Sequence, residues 1–344
     1  MGYRFVQLKW RLLIPFLDGL LALFFFWKKG IGPPENVTKI LLIKLNNLGD
    51  TLPLFLLARE CHRRYPGVKI DILIRPSLKE LFEDYDGVRH VMTMNPFEEP
   101  RYTETKVGLL ACMKTVRRLR KEKYDVILDV RGDIRCSVIA SLMGAKFVGG
   151  FNDGGGHWLQ NRSITPSKSW DFITRDMNIL RALDPDWDIS DPMSHLFFPV
   201  SISRKEIIRE RLDRLNMESL SFAVIHTGSG RAEKEVDSDS VKNALTDISW
   251  PQQKPLLLIG LEHEREGLEV LASSLHPWVA KVIVFSNIPE LAAIISESKM
   301  MVCSDSGPMH IAGFLKKPIK PIINELEHQT KQHKSIWCPY PLES

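Results

Sequence analysis

The chain has 344 residues, 44% hydrophobic and 26% charged, with no low-complexity stretch, a composition that excludes fibrous and disordered classes and is long enough for two domains with separate cores. Lys and Arg number 46 against 42 Asp and Glu. The excess lies in the first forty residues, where Arg4, Lys9, Arg11, Lys28, Lys29 and Lys39 meet only Asp18 and Glu35, so a broad nucleic-acid-binding face is not expected. Cys61, Cys112, Cys136, Cys303 and Cys338 are far apart, with no C-x-x-C pair and no H-E-x-x-H among the histidines. They read as reduced cytosolic thiols, and neither a disulfide frame nor a metal site is expected.

Residues 12–27 read LLIPFLDGLLALFFFW between Arg11 and Lys28-Lys29. A spanning helix needs about 20 apolar residues, and Pro15 and Asp18 interrupt this stretch. FFFWKKG offers no signal-peptide cleavage site, and Val6 stands where myristoylation wants Ser or Thr. Two readings remain: a monotopic helix with Trp10, Trp27 and the Phe cluster in the headgroup region and its cations on anionic lipid, or a helix packed on the protein's own surface. Gly30 to Pro34 (GIGPP) then acts as a linker, so residues 1–34 form a membrane-associating segment.

From Lys39 the chain alternates strands and helices. KILLIKL is a near-continuous apolar strand of the kind buried on both faces in a parallel sheet. NNLGD leads into a helix ending at Tyr65-Pro66-Gly67, then come VKIDILIRP (strand), SLKELFEDY (helix), VRHVMTM (strand), a helix from about Lys106 to Lys123, and YDVILDV, RGDIRCSVIASLMG and FVGGF. This rhythm predicts a doubly wound α/β domain over 35–200, with Gly154 to Ser169 as loop and a helix over about Trp170 to Ala182. SRKEIIRERLDRL, FAVIHTG, PLLLIGLEHERE, KVIVF, IPELAAIISES and KMMVCSDSGPMHIAGFL repeat the rhythm over 201–325, and 326–344 is an atypical tail. Two such domains place the C-terminal ends of both sheets at one cleft, where ligands bind.

Three loops follow apolar strands. In Asn46-Asn47-Leu48-Gly49-Asp50, Asp50 reads on its own as the N-cap of a helix with Pro53 in its first turn. His226-Thr227-Gly228-Ser229-Gly230-Arg231, leading to Lys234, is a Gly-bearing turn able to offer N–H groups to an anion, although one G-x-G is weak evidence. Asp305-Ser306-Gly307-Pro308-Met309-His310 starts a helix whose Ser306 and Gly307 N–H groups and dipole suit an anion. A plain capped helix and a structural His310 are the ordinary alternatives.

Taken together, these blocks resemble glycosyltransferase family 9, the ADP-heptose lipopolysaccharide heptosyltransferases. ILLIKLNNLGD is similar to the family's first strand and turn. YDVILDVRGDIRCSVIASLMGAKFVGGF is similar to its YD-hydrophobic-D-x-x-G-x-x-R-S segment. His226 and Lys234 hold the interval of its H-P-G and lysine, and DSGPMHIA is similar to its most specific motif. The resemblance covers roughly residues 36–320. It implies a GT-B fold of two Rossmann-like domains, with acceptor on the first and nucleotide-sugar on the second, and an inverting, metal-independent transfer from a nucleotide-diphospho-sugar, ADP-heptose by family, with no cofactor. It implies Asp50 as the base, and His226, Lys234, Glu264, Asp305, Ser306, Gly307, Pro308, Met309 and His310 on the donor. Lys234 and the 306–309 helix start would hold the diphosphate, and Glu264 the ribose hydroxyls or else solvent. The implied acceptor is a lipopolysaccharide-core or related glycolipid, and the implied location is cytoplasmic, on the inner face of the cytoplasmic membrane.

Several positions depart from the family pattern. Thr227 stands for Pro, Val236 for Trp, and Leu56 for Pro in the first helix. The chain ends four residues after a Trp337-Cys338-Pro339-Tyr340 element, so the crossover helix of the GT-B fold is expected to be missing or displaced. A catalytically weak nucleotide-sugar-binding accessory protein, or an enzyme acting on another nucleotide-sugar with this fold, are the competing expectations.

Overall fold

The computed structural model describes residues 16, 18–20, 23–25, 29–95, 109–228, 237–322 and 340. The chain divides into two compact units, Met1–Pro192 and Met193–Ser344.

Unit 1 is built on a parallel sheet of β1 (Lys39–Lys44), β2 (Lys69–Ile74), β3 (His90–Thr93), β4 (Val126–Asp129), β5 (Phe147–Phe151) and β6 (Arg162–Ile164), in the order β3-β2-β1-β4-β5-β6. Its helices include α1 (Leu48–Thr51), α2 (Pro53–Arg64), α3 (Leu109–Arg120), α4 (Ile134–Leu142) and α5 (Phe172–Met177). Ile40, Leu41, Leu42 and Ile43 of β1 have no exposed surface. That explains a strand that is apolar on both faces, at roughly 1.5–3 kcal/mol for each such side chain buried. The order reverses direction between β1 and β4, so the connections that leave these two strands diverge and open a crevice at their C-terminal ends.

Unit 2 repeats this design. Its sheet of β7 (Ala223–His226), β8 (Leu256–Gly260), β9 (Ala280–Val284), β10 (Met300–Cys303) and β11 (Ile319–Pro321) is parallel in the order β11-β10-β7-β8-β9. It carries α6 (Ile202–Arg214), α7 (Ser238–Asp247), α8 (Arg265–Ser274), α9 (Ile288–Ser296) and α10 (Gly307–Phe314). Its reversal falls between β7 and β10, the strands that lead into the His226 and Asp305 turns.

Three local expectations are corrected. The stretch from Gly154 to Ser169 is not all loop: it holds a 3-10 turn over His157–Leu159 and the edge strand β6, whose residues pair with Gly149, Gly150 and Phe151. An edge strand of three half-buried residues carries no apolar run, which is why its sequence shows no strand signal. SLKELFEDY forms a 3-10 turn over Pro76–Phe82 and not a full helix. Asp50 is not an N-cap. The chain turns helical at Leu48, so Asn47 takes the cap position of α1, Leu52 takes that of α2, and Asp50 lies inside the first turn.

Candidate functional site

The Tyr-Asp pair of the YDVILDVRGDIRCS segment braces the starts of the strands. Asp125 accepts from the Thr38 N–H at 2.9 Å, the Thr38 hydroxyl at 2.7 Å and Lys146 at 2.7 Å, while the Tyr124 hydroxyl donates to Asp71 at 2.7 Å. The rest of the segment shapes the opposite end. Asp129 closes β4 with no exposed surface and accepts from the Gly132 N–H and the Ser137 hydroxyl, each at 2.9 Å. Burial pushes its carboxyl up to about 7. Gly132 adopts φ 71°, and a Cβ there would stand 2.8 Å from Cβ of Phe151, so the turn requires glycine. Asp133 caps α4 through the Cys136 N–H at 3.0 Å and also accepts from Arg131 and Arg135.

Asp50 sits beside this turn's partner loop after β1. The Asn46 amide donates to Asp50 Oδ2 at 3.4 Å, and its own Oδ1 is buried with no hydrogen-bond partner among the described residues. A buried acceptor left unpaired is costly, and here it lies next to a half-buried carboxylate. The two oxygens therefore suit a ligand that brings hydroxyl groups. Two arginines from neighbouring strand ends converge on the same loop: Arg75, after β2, and Arg131, after β4, both donate to the Leu45 carbonyl. Beneath it, Lys44 ends β1 almost fully buried and donates to Asp176 at 2.6 Å. Burial, only partly countered by Lys44 and Arg175, raises the Asp176 carboxyl, and Asp50 adds to the rise. Arg175 bonds Asp176 and Asp153, each at 3.2 Å, and lies over the Phe151 ring at 3.9 Å. Sequence reading singled out none of Asn46, Lys44, Arg75, Arg131, Arg175 and Asp176 for a role. A lysine closing an otherwise apolar central strand was the one signal available.

In unit 2 the turns after β7, β8 and β10 converge. His226 ends β7 and is 8% exposed. Burial pulls its imidazole down to about 4, against the opposing charge of Glu264, so the ring is neutral at physiological pH. Ser306 Oγ stands 3.4 Å from His226 Nδ1, and the Ser304 hydroxyl donates to the Gly228 carbonyl at 3.0 Å. Glu264 folds back to accept from the Leu261 N–H at 2.6 Å. A Cβ on Gly228 would stand 3.2 Å from Glu264 Oε1 and 3.5 Å from the His226 ring, so the missing side chain at 228 lets Glu264 and His226 approach one turn. Glu264 is half-buried and does stand at a helix start, ending the 3-10 turn Glu262–Glu264 and taking the N-cap position of α8.

At the start of α10, Ser306 is the N-cap and Pro308 lies in the first turn. The Met309 N–H is taken by the Ser306 carbonyl at 3.1 Å, and the Met309 side chain is in the core at 1% exposure. Of the expected 306–309 anion cradle, the N–H groups of Ser306 and Gly307 are therefore the ones left for a ligand, and Asp305 is half-buried at its entrance. His310 Nδ1 hydrogen-bonds Tyr340 Oη at 3.0 Å. The Tyr340 ring lies on Gly313, where a Cβ would approach it to 2.3 Å. Lys234 and Val236 fall outside the described residues. A cavity of about 400 Å³ along α3, lined by Leu110, Met113, Lys114, Arg117, Arg118 and Lys121, contains none of these side chains.

Comparison with known proteins adds a family. The family model described as glycosyltransferase family 9 (heptosyltransferase) matches residues 112–320, more than half the chain. The lipopolysaccharide core heptosyltransferase OpsX of Haemophilus influenzae is 19% identical over 299 residues, covering 83% of this chain and 78% of that protein. Among solved structures, a family 9 glycosyltransferase from Veillonella parvula superposes with a TM-score of 0.66 at 17% identity, covering 83% of this chain and 81% of that one. The E. coli heptosyltransferase WaaC with ADP-2-deoxy-2-fluoro heptose superposes at 0.63 with 14% identity, covering 82% and 87%. These superpositions identify the fold as GT-B-type.

Proposed function

Because the chain belongs to glycosyltransferase family 9, the heptosyltransferase family, and is a glycosyltransferase, we propose that it moves heptose from ADP-heptose to a lipopolysaccharide-core glycolipid with inversion and without a metal. The observation that carries this reading is the pairing of the half-buried Asp50 carboxylate with the unpartnered Asn46 Oδ1 at the end of β1. An acceptor hydroxyl would donate to Asp50, a second hydroxyl would satisfy Asn46, and the attacking oxygen would be held in place. As that oxygen bonds to the anomeric carbon from the face opposite the diphosphate, the bond from carbon to phosphate oxygen breaks. ADP leaves with its electron pair, and the proton passes to Asp50. Arg75 and Arg131, which meet this loop at the Leu45 carbonyl, suit an acceptor bearing phosphate or carboxylate groups.

In the same reading, the Ser306 and Gly307 N–H groups, Lys234 and the α10 dipole take the charge that grows on the leaving diphosphate. Glu264 accepts from ribose hydroxyls. Neutral His226 positions Ser306, and Asp305 and His310 border the diphosphate. Pro308 shapes the cradle without spending an N–H, and Met309 supports it from the core. The location in this reading is the inner face of the cytoplasmic membrane, where a glycolipid acceptor is presented.

The deciding experiment is Asp50→Asn, with transfer from ADP-heptose to isolated core acceptor followed by mass spectrometry and ADP binding followed by calorimetry. Loss of a positioned base lowers kcat by about 10²–10⁴-fold while ADP binding persists. Undiminished turnover in the variant removes Asp50 from the role of base. A thermal-shift series with ADP-, UDP-, GDP- and TDP-sugars tests the donor, since a ligand at about 100 times its Kd adds roughly 2.7 kcal/mol.

A further inference from the structure

The apolar N-terminal segment contains one acid, and the structure shows what that acid does. Residues 18–20 and 23–25 are helical, as is Phe16. Asp18 is 2% exposed. Its Oδ1 accepts the Gly156 N–H at 2.6 Å, and its Oδ2 lies 3.3 Å from His157 Nδ1. Asp18 thus reaches from the N-terminal helix to the start of the His157–Leu159 turn, where Gly156 occupies the left-handed cap position. A second tie follows at Lys29, whose ammonium donates to Ser163 of β6 at 2.9 Å and lies 5.7 Å from the Trp158 ring. One face of the segment is therefore bound to unit 1 at its β5–β6 edge.

The other face is apolar and exposed. Phe16, Leu20, Leu23 and Phe24 are 65%, 42%, 71% and 70% exposed. At about 100° per residue they lie roughly 140° to 240° around the helix from Asp18, opposite the docked side, and the half-buried Phe25 lies on Asp18's side. Arg4, Lys9, Arg11 and Lys28 flank this stripe in sequence. An outward apolar face with cations on both sides of it in sequence suits a bilayer surface bearing anionic headgroups, where apolar side chains sink about 5–10 Å and cations remain at the phosphates. Among the described residues no helix is long and apolar enough to cross a membrane.

We propose that the helical residues 16, 18–20 and 23–25 act as a docked keel and not a free tether: they bind an anionic bilayer surface by the Phe16, Leu20, Leu23 and Phe24 face, while Asp18 and Lys29 fix the segment to the rest of unit 1. Membrane binding then orients unit 1 with its β5–β6 edge toward the lipid. The value of that orientation to catalysis rests on the glycolipid acceptor proposed above, but the binding itself does not.

The full-length protein, without donor or acceptor, is floated with phosphatidylethanolamine vesicles containing or lacking phosphatidylglycerol. Wild type is expected to float with the anionic vesicles and much less with the neutral ones. Leu20→Glu/Leu23→Glu is expected to cut vesicle partition by at least tenfold, on the order of the apolar area withdrawn, with unchanged melting temperature. Vesicle binding is expected to slow amide exchange at His157, Trp158 and Leu159 in wild type and not in Asp18→Ala, which lacks the acceptor for the Gly156 N–H and still floats. Undiminished flotation of the double variant overturns the lipid face, and exchange in 157–159 that ignores vesicles in wild type overturns the docking. Sedimentation of a dimer that the double variant dissociates, with flotation intact, reassigns the face to a second copy of the chain. None of these readouts depends on sugar transfer, so failure of the keel and failure of the transferase reading are separately visible.

Discussion

Asp129 offers a test of how the turn after β4 is held. Burial raises its carboxyl from 3.8 to about 7. The folded state therefore keeps a proton that the unfolded chain has lost, and stability falls as pH rises through that interval. Below about pH 4 the group is neutral in both states and costs nothing. Between about pH 4 and 7 the cost grows, and above about 7 both states are ionised and the cost is constant. A rise of this size corresponds to about 4 kcal/mol at 1.36 kcal/mol per pH unit. The hydrogen bonds from Gly132 and Ser137 favour the carboxylate and only partly offset the burial. Asp129→Asn keeps the shape, still accepts from the Gly132 N–H and can donate to Ser137 Oγ. The expected result is a variant near wild-type stability at pH 4.5 and more stable at pH 8, by a urea midpoint shift of about 1.3–2 M in the transition of unit 1, for a slope of about 2–3 kcal/mol per M. Other carboxyls titrate too, so the measured quantity is the difference between variant and wild type at each pH. A variant destabilised equally at both pH values would refute the argument, because the carboxylate would then be stabilised in place and not strained by burial.

Three further outcomes follow from the geometry. Lys44→Met leaves Asp176 buried with Arg175 as its remaining cationic partner and should destabilise unit 1 by about 3 kcal/mol, with Lys44→Met/Asp176→Leu recovering much of the loss; denaturant unfolding of both variants checks this, and a single variant within about 0.5 kcal/mol of wild type contradicts it. Gly228→Ala places a methyl 3.2 Å from Glu264 Oε1 and should raise KM for the donor about tenfold with little change in melting temperature, measured by initial rates. Tyr340→Phe keeps the ring on Gly313 but loses the hydroxyl at His310 Nδ1, so histidine ¹⁵N spectra should report a changed tautomer balance at His310, while Gly313→Ala, meeting the ring at 2.3 Å, should displace Tyr340 altogether.

Part of this site could be read from the sequence. Asp50, His226 and the Asp305–His310 turn all follow apolar strands, and parallel-sheet strands announce themselves by unbroken hydrophobic runs. Glu264 was placed by its loop after β8, but its close approach to the His226 turn depends on the absence of a side chain at Gly228. The roles of Asn46, Arg75 and Arg131 were not legible, because each depends on a contact between strand ends far apart in the chain.

The sequence by itself determined the two doubly wound halves, the positions of their turns and the family, since local periodicity and short motifs are properties of neighbouring residues. Only the tertiary structure decided what the polar residues inside apolar stretches are for. Asp18 read as a flaw in a hydrophobic segment until Gly156, far along the chain, supplied its partner. Lys44 likewise carried no assigned role until Asp176 supplied its partner. Burial makes such groups costly unless paired, and the pairing partner is chosen by the fold, not by sequence proximity.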